Sequence, residues 1–148
     1  HPGTIKFMSR RALVSAIDLT PLPPIDPKGV NSVPWELFAE TTIEKPFRPA
    51  FPKYLKELDG KKVSLTGFMY PLRDDPDMTA FLFIESPVGC WYCEMPETTG
   101  ILFVELPRGE TVRFQLGLMR VTGRLLLNTS DPEDFLFTVK DAKAGVFD

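Results

Sequence analysis

Histidine is all but missing: the only one is His1. A Ser-His-Asp or Cys-His triad needs an imidazole base, and a multi-histidine metal centre needs several, so both are excluded. The serines therefore lack the base that would make one a nucleophile. Copper chelation by the His1 amine and ring would call for a second imidazole, and none exists. Cysteine is scarce too, with only Cys90 and Cys93, which rules out a disulfide-built scaffold. No apolar run approaches the ~20 residues of a membrane-spanning helix. Residues 10–17 begin with two arginines and turn apolar. That stretch is short and Asp18 follows at once, so it is not read as a signal peptide; one already removed would leave no trace. An excess of positive charge is also lacking: 17 Lys and Arg face 20 Asp and Glu, for a net charge of -3. Neutralising a phosphate backbone calls for the opposite balance, so a dedicated nucleic-acid binder is disfavoured. No glycine-rich phosphate loop occurs. Asp74, Asp75 and Asp77 share one acidic turn. They lack the EF-hand spacing and its closing Glu, and read as a solvated turn rather than a calcium loop.

What the chain has in plenty is proline, 15 in 148 residues, about twice the usual share. Eight of them fall between residues 20 and 52. Proline at that density breaks helices and cannot serve central strands. Residues 1–52 are therefore read as a Pro-rich N-terminal arm. It is expected to lay Ile25, Val30, Val33, Trp35 and Phe38 on the body of the protein. The alternative is an arm exchanged between subunits to make a dimer. Two short helices fit locally. Pro34 can start one through Trp35–Ala39, and Pro52 can start another over Lys53–Leu58, ended by Gly60.

From Lys61 the apolar period becomes two. Val63, Leu65, Gly67 and Met69 alternate with Ser64, Thr66, Phe68 and Tyr70, as in a half-buried strand. Ala80–Ile84 and Ile101–Val104 are continuous apolar runs, suited to strands covered on both faces. Thr111–Leu116 alternates again. Leu118–Leu127 reads as a long strand whose Gly123 marks a bulge or tight bend. Phe135–Lys140 supplies the last strand, with Phe135, Phe137 and Val139 on one face. Residues 53–148 are thus expected to form one mainly-β domain: a small OB-like antiparallel β-barrel, with a β-sandwich as the alternative. The motifs around Gly67 and Gly123 allow a strand to coil sharply and serve two sheets.

The most unusual stretch is Gly89-Cys90-Trp91-Tyr92-Cys93-Glu94-Met95-Pro96, between the two apolar strands. A Cys-x-x-Cys pair can close a small disulfide, act in thiol exchange or hold a metal such as zinc or copper. Thioredoxin-type chemistry wants the first Cys at a helix N-terminus in a βαβ setting, and neither is indicated. A structural zinc wants a second pair of Cys or His ligands, and there is none. A bridged or buried pair that stiffens the loop is the plain reading, and no cofactor is assigned. Trp91, Tyr92, Met95 and Pro96 are the candidate contacts to a protein partner or small ligand; aromatics so placed also cap barrel ends. For single-strand nucleic acid, the residues to consider are Arg113, Arg120 and Arg124 with Phe68 and Phe114.

Read in order, Leu58-Asp59-Gly60-Lys61-Lys62-Val63, Gly67-Phe68-Met69-Tyr70-Pro71-Leu72, Phe81-Leu82-Phe83, the Gly89-Cys90 loop and Ile101-Leu102-Phe103-Val104 resemble the bacterial DUF3299 family over roughly residues 55–105. Where relatives read Cys-Ile-His-Val and a proline run, this chain keeps Cys90 and Pro96. Tyr92 stands at the histidine, and Cys93 replaces an apolar residue. A Cys/His metal pair would therefore not carry over. The resemblance implies export to the bacterial envelope, periplasmic or secreted, and no established activity. The reading that results is an exported, non-enzymatic OB-like domain that binds a partner or ligand through the Cys90–Pro96 loop. The alternatives are metal handling or thiol redox chemistry at Cys90 and Cys93, and single-strand nucleic-acid binding.

Overall fold

The computed structural model describes residues 22–45, 47–72, 76–86 and 98–146. Along these the elements run β1 (Asn31–Ser32), α1 (Trp35–Ala39), β2 (Thr42–Glu44), β3 (Arg48–Ala50), α2 (Lys53–Leu58), β4 (Lys62–Tyr70) and β5 (Ala80–Ile84). A 3-10 turn (Thr98–Gly100), β6 (Ile101–Glu105), β7 (Met119–Leu127) and β8 (Phe137–Val146) complete them. The protein is mainly β. Its principal sheet has the order β1-β4-β5-β6-β8-β7, and β4 also pairs with β7; β2 and β3 form a separate hairpin.

The alternation after Lys61 becomes β4, where Val63, Leu65, Gly67 and Met69 are buried and the residues between them are not. This strand serves two partners in succession. Its first part, Lys62–Gly67, pairs antiparallel with β7, and Phe68–Tyr70 pairs antiparallel with β5. The change falls at Gly67. A Cβ there would lie 2.5 Å from the Ile84 carbonyl oxygen and 3.1 Å from the Phe83 ring, so the two chains meet only because the side chain is a hydrogen. Gly123 plays the same part in β7. A Cβ would sit 2.7 Å from Val139 and 2.8 Å from the Lys140 carbonyl oxygen, and the β7–β8 register shifts between Thr122 and Arg124. The bulge expected at Gly123 is present. Asp141, opposite it in β8, takes a left-handed φ of 52°.

The two apolar runs are covered on both sides, as their composition requires. Phe81, Phe83, Leu102 and Val104 enter the main core. Leu82, Ile84 and Ile101 enter a second cluster on the opposite face. The main core also takes Trp35, Phe38, Phe51, Leu55 and Leu58 from α1, α2 and the segment between them. The Phe38 and Phe137 rings meet edge to face at 4.7 Å. Both helices begin immediately after a proline, at Pro34 and Pro52, and Gly60 follows α2 with a φ of +82°.

The edge of β4 is closed by the preceding segment. Asn31 and Ser32 pair parallel with Val63 and Ser64. The Trp35 indole N–H donates to the Thr66 carbonyl at 2.7 Å. The Asn31 amide donates to the Lys62 carbonyl at 3.0 Å. Of the apolar residues expected to pack here, Val33, Trp35 and Phe38 are buried, Ile25 packs against the core, and Val30 is exposed.

Three expectations are corrected. The sheet is mixed rather than antiparallel throughout: β8 folds back against β7 and lies beside β6 in the same direction, so β6–β8 is parallel, as is β1–β4. Thr111–Leu116 forms no strand. Only Val112 bridges to Met78, and Phe114 and Leu116 are exposed; β6 already has β5 and β8 as neighbours, so that segment has no sheet edge to join. Phe135 does not share a face with Phe137 and Val139. The turn held by Asn128, Asp131 and Asp134 delays the strand to Phe137. Leu136 enters the core instead, and Phe135 joins the opposite cluster.

Candidate functional site

The residues singled out for binding or metal chemistry, Cys90, Trp91, Tyr92, Cys93, Met95 and Pro96, lie outside the described residues, as do His1, Asp74 and Asp75. The two strands that flank Cys90–Pro96 in the sequence are described, and their nearest paired residues are Ile84 and Ile101. Around that pair the outward-pointing residues of three strands form a continuous apolar surface. Leu82, Ile84 and Ile101 are buried in it, and Phe68, Tyr70, Phe103 and Phe135 pack against them half-exposed. Phe103 and Phe135 lie parallel, with ring centroids 5.3 Å apart and planes within 2°.

Phe103 also floors a groove of about 310 Å³ between β6, the end of β7, β8 and the turn before β8. Its sides carry Glu105, Thr138 and Lys140, with Asp134 at the rim. Asn128 lines it too, but its amide is consumed in its own turn. Its Oδ1 accepts from the Ser130 and Asp131 N–H groups at 3.2 and 3.0 Å. Its Nδ2 donates to the Asp131 carbonyl at 2.6 Å. Asn128 thus shapes the rim. A second hollow of about 440 Å³ shares Glu105 and Lys140 with the first and extends to Arg108 and Asp141.

The arginines and aromatics considered for nucleic acid are not assembled into a basic stacking surface. Arg113 faces Asp77 at 3.8 Å and Arg124 faces Asp141 at 3.9 Å, each positive charge beside a negative one. Arg120 is in β7 opposite Thr66. Phe68 packs into the apolar surface, and Phe114 stands exposed on the β6–β7 connection. Among the described residues no group of three or more His, Cys, Asp or Glu could hold a metal ion, and no helix is long and apolar enough to cross a membrane. Burial pushes the Tyr54 phenol above its ordinary range, and the Glu57 carboxylate adds to this. Its hydroxyl donates to the Pro23 carbonyl at 2.6 Å, which makes it a tether for the preceding segment rather than a proton carrier.

Sequence reasoning missed the Phe103–Phe135 pair. The signal available was parity: within a run covered on both sides, Phe103 shares its side with Ile101 and not with Leu102 and Val104. Phe135 carried no such signal, because a turn and not a strand orients it.

A family model described as "Protein of unknown function (DUF3299)" matches residues 40–139, about two thirds of the chain. A solved crystal structure of a DUF3299 family protein from Pseudomonas aeruginosa PAO1 is similar in fold, with a TM-score of 0.51 at 18% sequence identity. The match covers 68% of this chain and 69% of that one. No curated protein matches the chain.

Proposed function

Because the chain belongs to the DUF3299 family, we propose that it is an exported, non-enzymatic binding domain of the bacterial envelope, periplasmic or secreted, built on an OB-like barrel. The strand order supports the barrel: β4-β5-β6-β8-β7 returns to β4 through the β4–β7 pairing. The glycines at the partner change of β4 and at the β7 bulge are what such curvature requires. The export part rests on the family resemblance.

The observation that carries the binding function is the outward apolar surface of β4, β5 and β6, with Tyr70, Phe68 and the stacked Phe103–Phe135 pair half-exposed. The Cys90–Pro96 segment falls in the sequence between β5 and β6, two of the three strands that supply this surface. In OB barrels the face of the second and third strands is the usual ligand platform, and here those are β5 and β6. A protein partner or small ligand docks on this face, and Trp91, Tyr92, Met95 and Pro96 add contacts from the loop. Cys90 and Cys93 are assigned the stiffening role, as a bridged pair in an oxidising compartment.

The test is an NMR titration of the isotopically labelled protein. The probes are an unstructured peptide library, neutral oligosaccharides and a single-stranded oligonucleotide. The expected result is that peptide or saccharide shifts the backbone signals of Tyr70, Ile84, Ile101 and residues 87–97, and that the bound compound is recovered unchanged. Shifts confined to another face, or chemical conversion of the compound, would reject the proposal. Thiol counting joins it: two free thiols in protein from its native envelope would contradict the bridge.

A further inference from the structure

The groove beside Phe103 has a side-chain chemistry that selects among ligand classes. Glu105, Thr138 and Lys140 alternate onto the outer side of β6 and β8, where Phe103 pairs with Thr138 in parallel register. Thr138 also lies opposite Leu126 of β7. Among the described residues, none of these three polar side chains has a hydrogen-bonding or ionic partner. One oxygen of Asp134 accepts the Phe135 N–H at 2.8 Å, and its other oxygen is directed to no described donor. An apolar ring is thus flanked within one groove by hydrogen-bond acceptors and donors that the protein does not use itself. Polar groups left open around an aromatic floor in this way are suited to a ligand with an apolar face and a hydroxylated perimeter.

Other classes fit less well. A peptide adding as a strand needs an open sheet edge, but β6 lies between β5 and β8, and β8 between β6 and β7. A phosphate backbone meets two carboxylates against one ammonium in the first hollow and an equal number of each sign in the second, so no field draws it in. The two hollows share Glu105 and Lys140 and so adjoin each other. A ligand of repeating units is favoured over a single small molecule.

We propose that this double groove binds an uncharged oligosaccharide. One pyranose lies with its C–H face on Phe103, held in place by Phe135 behind it. Glu105 and Asp134 accept from sugar hydroxyls, and Thr138 and Lys140 donate to them. The next unit occupies the hollow between Glu105, Arg108 and Asp141. This rests on the outer face being a binding surface, and it names the ligand class for the β6–β8 side of that face.

The experiment is calorimetric and NMR titration of the full chain with maltotetraose, cellotetraose and chitotetraose, and with the matching disaccharides. The expected result is that at least one tetrasaccharide binds below about 1 mM and more tightly than its disaccharide. Phe103→Ala is expected to weaken it by about tenfold or more. Since Phe103 is half-buried, Glu105→Gln and Thr138→Val are run beside it. Each is expected to lower affinity several-fold while the thermal unfolding curve stays in place. Failure of all three tetrasaccharides to bind would overturn the inference, as would binding that all three variants leave unchanged. If peptide still shifts the Tyr70, Ile84 and Ile101 signals while no saccharide binds, the saccharide assignment alone falls and the binding face stands.

Discussion

Gly67 and Gly123 sit where neighbouring strands come too close for a side chain. At each, the nearest atoms to an added methyl include backbone oxygens, at 2.5 Å for Gly67 and 2.8 Å for Gly123. Backbone held in a ladder on both sides cannot step aside. Gly67→Ala and Gly123→Ala are each expected to cost about 2–3 kcal/mol, at the upper end for overpacking. Urea unfolding followed by far-UV circular dichroism would read this as a lower midpoint; an unchanged midpoint in either variant would mean that the close approach is not real. Thr41 offers the opposite case. Its hydroxyl is buried without a hydrogen-bond partner among the described residues, and an unmet buried hydroxyl is unfavourable. Thr41→Val keeps the shape and removes the polar atom, so a gain of about 1 kcal/mol is expected, visible as a higher unfolding midpoint.

At the scale of elements, α1 acts through what it places on the sheet. Its first residue, Trp35, stacks at a tilt on Phe83 with centroids 5.8 Å apart and satisfies the Thr66 carbonyl. That carbonyl lies on the β4 edge between the residues paired to β1 and those paired to β5. Trp35→Phe keeps an aromatic ring but deletes the donor, and is expected to cost about 1–3 kcal/mol. The amide exchange of β4 should rise most near Thr66; protection unchanged along β4 would show that the indole bond contributes nothing. Both helices could be read beforehand, because proline pre-sets the first turn and the apolar spacing is helical. The four long strands that begin at Lys62, Ala80, Ile101 and Met119 could also be read, because alternation or doubly covered runs mark them. Thr111–Leu116 alternates as well, but a strand needs a neighbour, and none is open to it. The β2–β3 hairpin went unseen because Pro49 sits inside it and proline argues against strand.

The whole molecule is set by which strands close on which. α1, α2, Phe51 and all the long strands feed one core cluster, so the segment before Lys53 is part of the folded body as well as its covering. A chain beginning at Lys53 would lose Trp35, Leu37, Phe38 and Phe51 from that cluster, each large side chain worth about 3–5 kcal/mol when truncated in a packed core. Since a domain of this size holds only about 5–15 kcal/mol in total, this truncation is expected to lose cooperative unfolding and near-UV circular dichroism. A sharp unfolding transition in the truncated chain would refute the shared core.

Local pattern determined the mainly-β character, the positions of the helices, the bulge at Gly123 and the doubly covered strands, because each depends on residues near in sequence. The Gly89–Pro96 stretch was visible as an oddity of composition. Tertiary structure alone decided that β8 runs parallel to β6, that β4 divides itself between β7 and β5, and that Phe103 and Phe135 stack beside an open polar groove. Those facts join residues that are apart in the sequence, by 32 positions for Phe103 and Phe135, and no periodicity within a strand records which neighbour will lie against it.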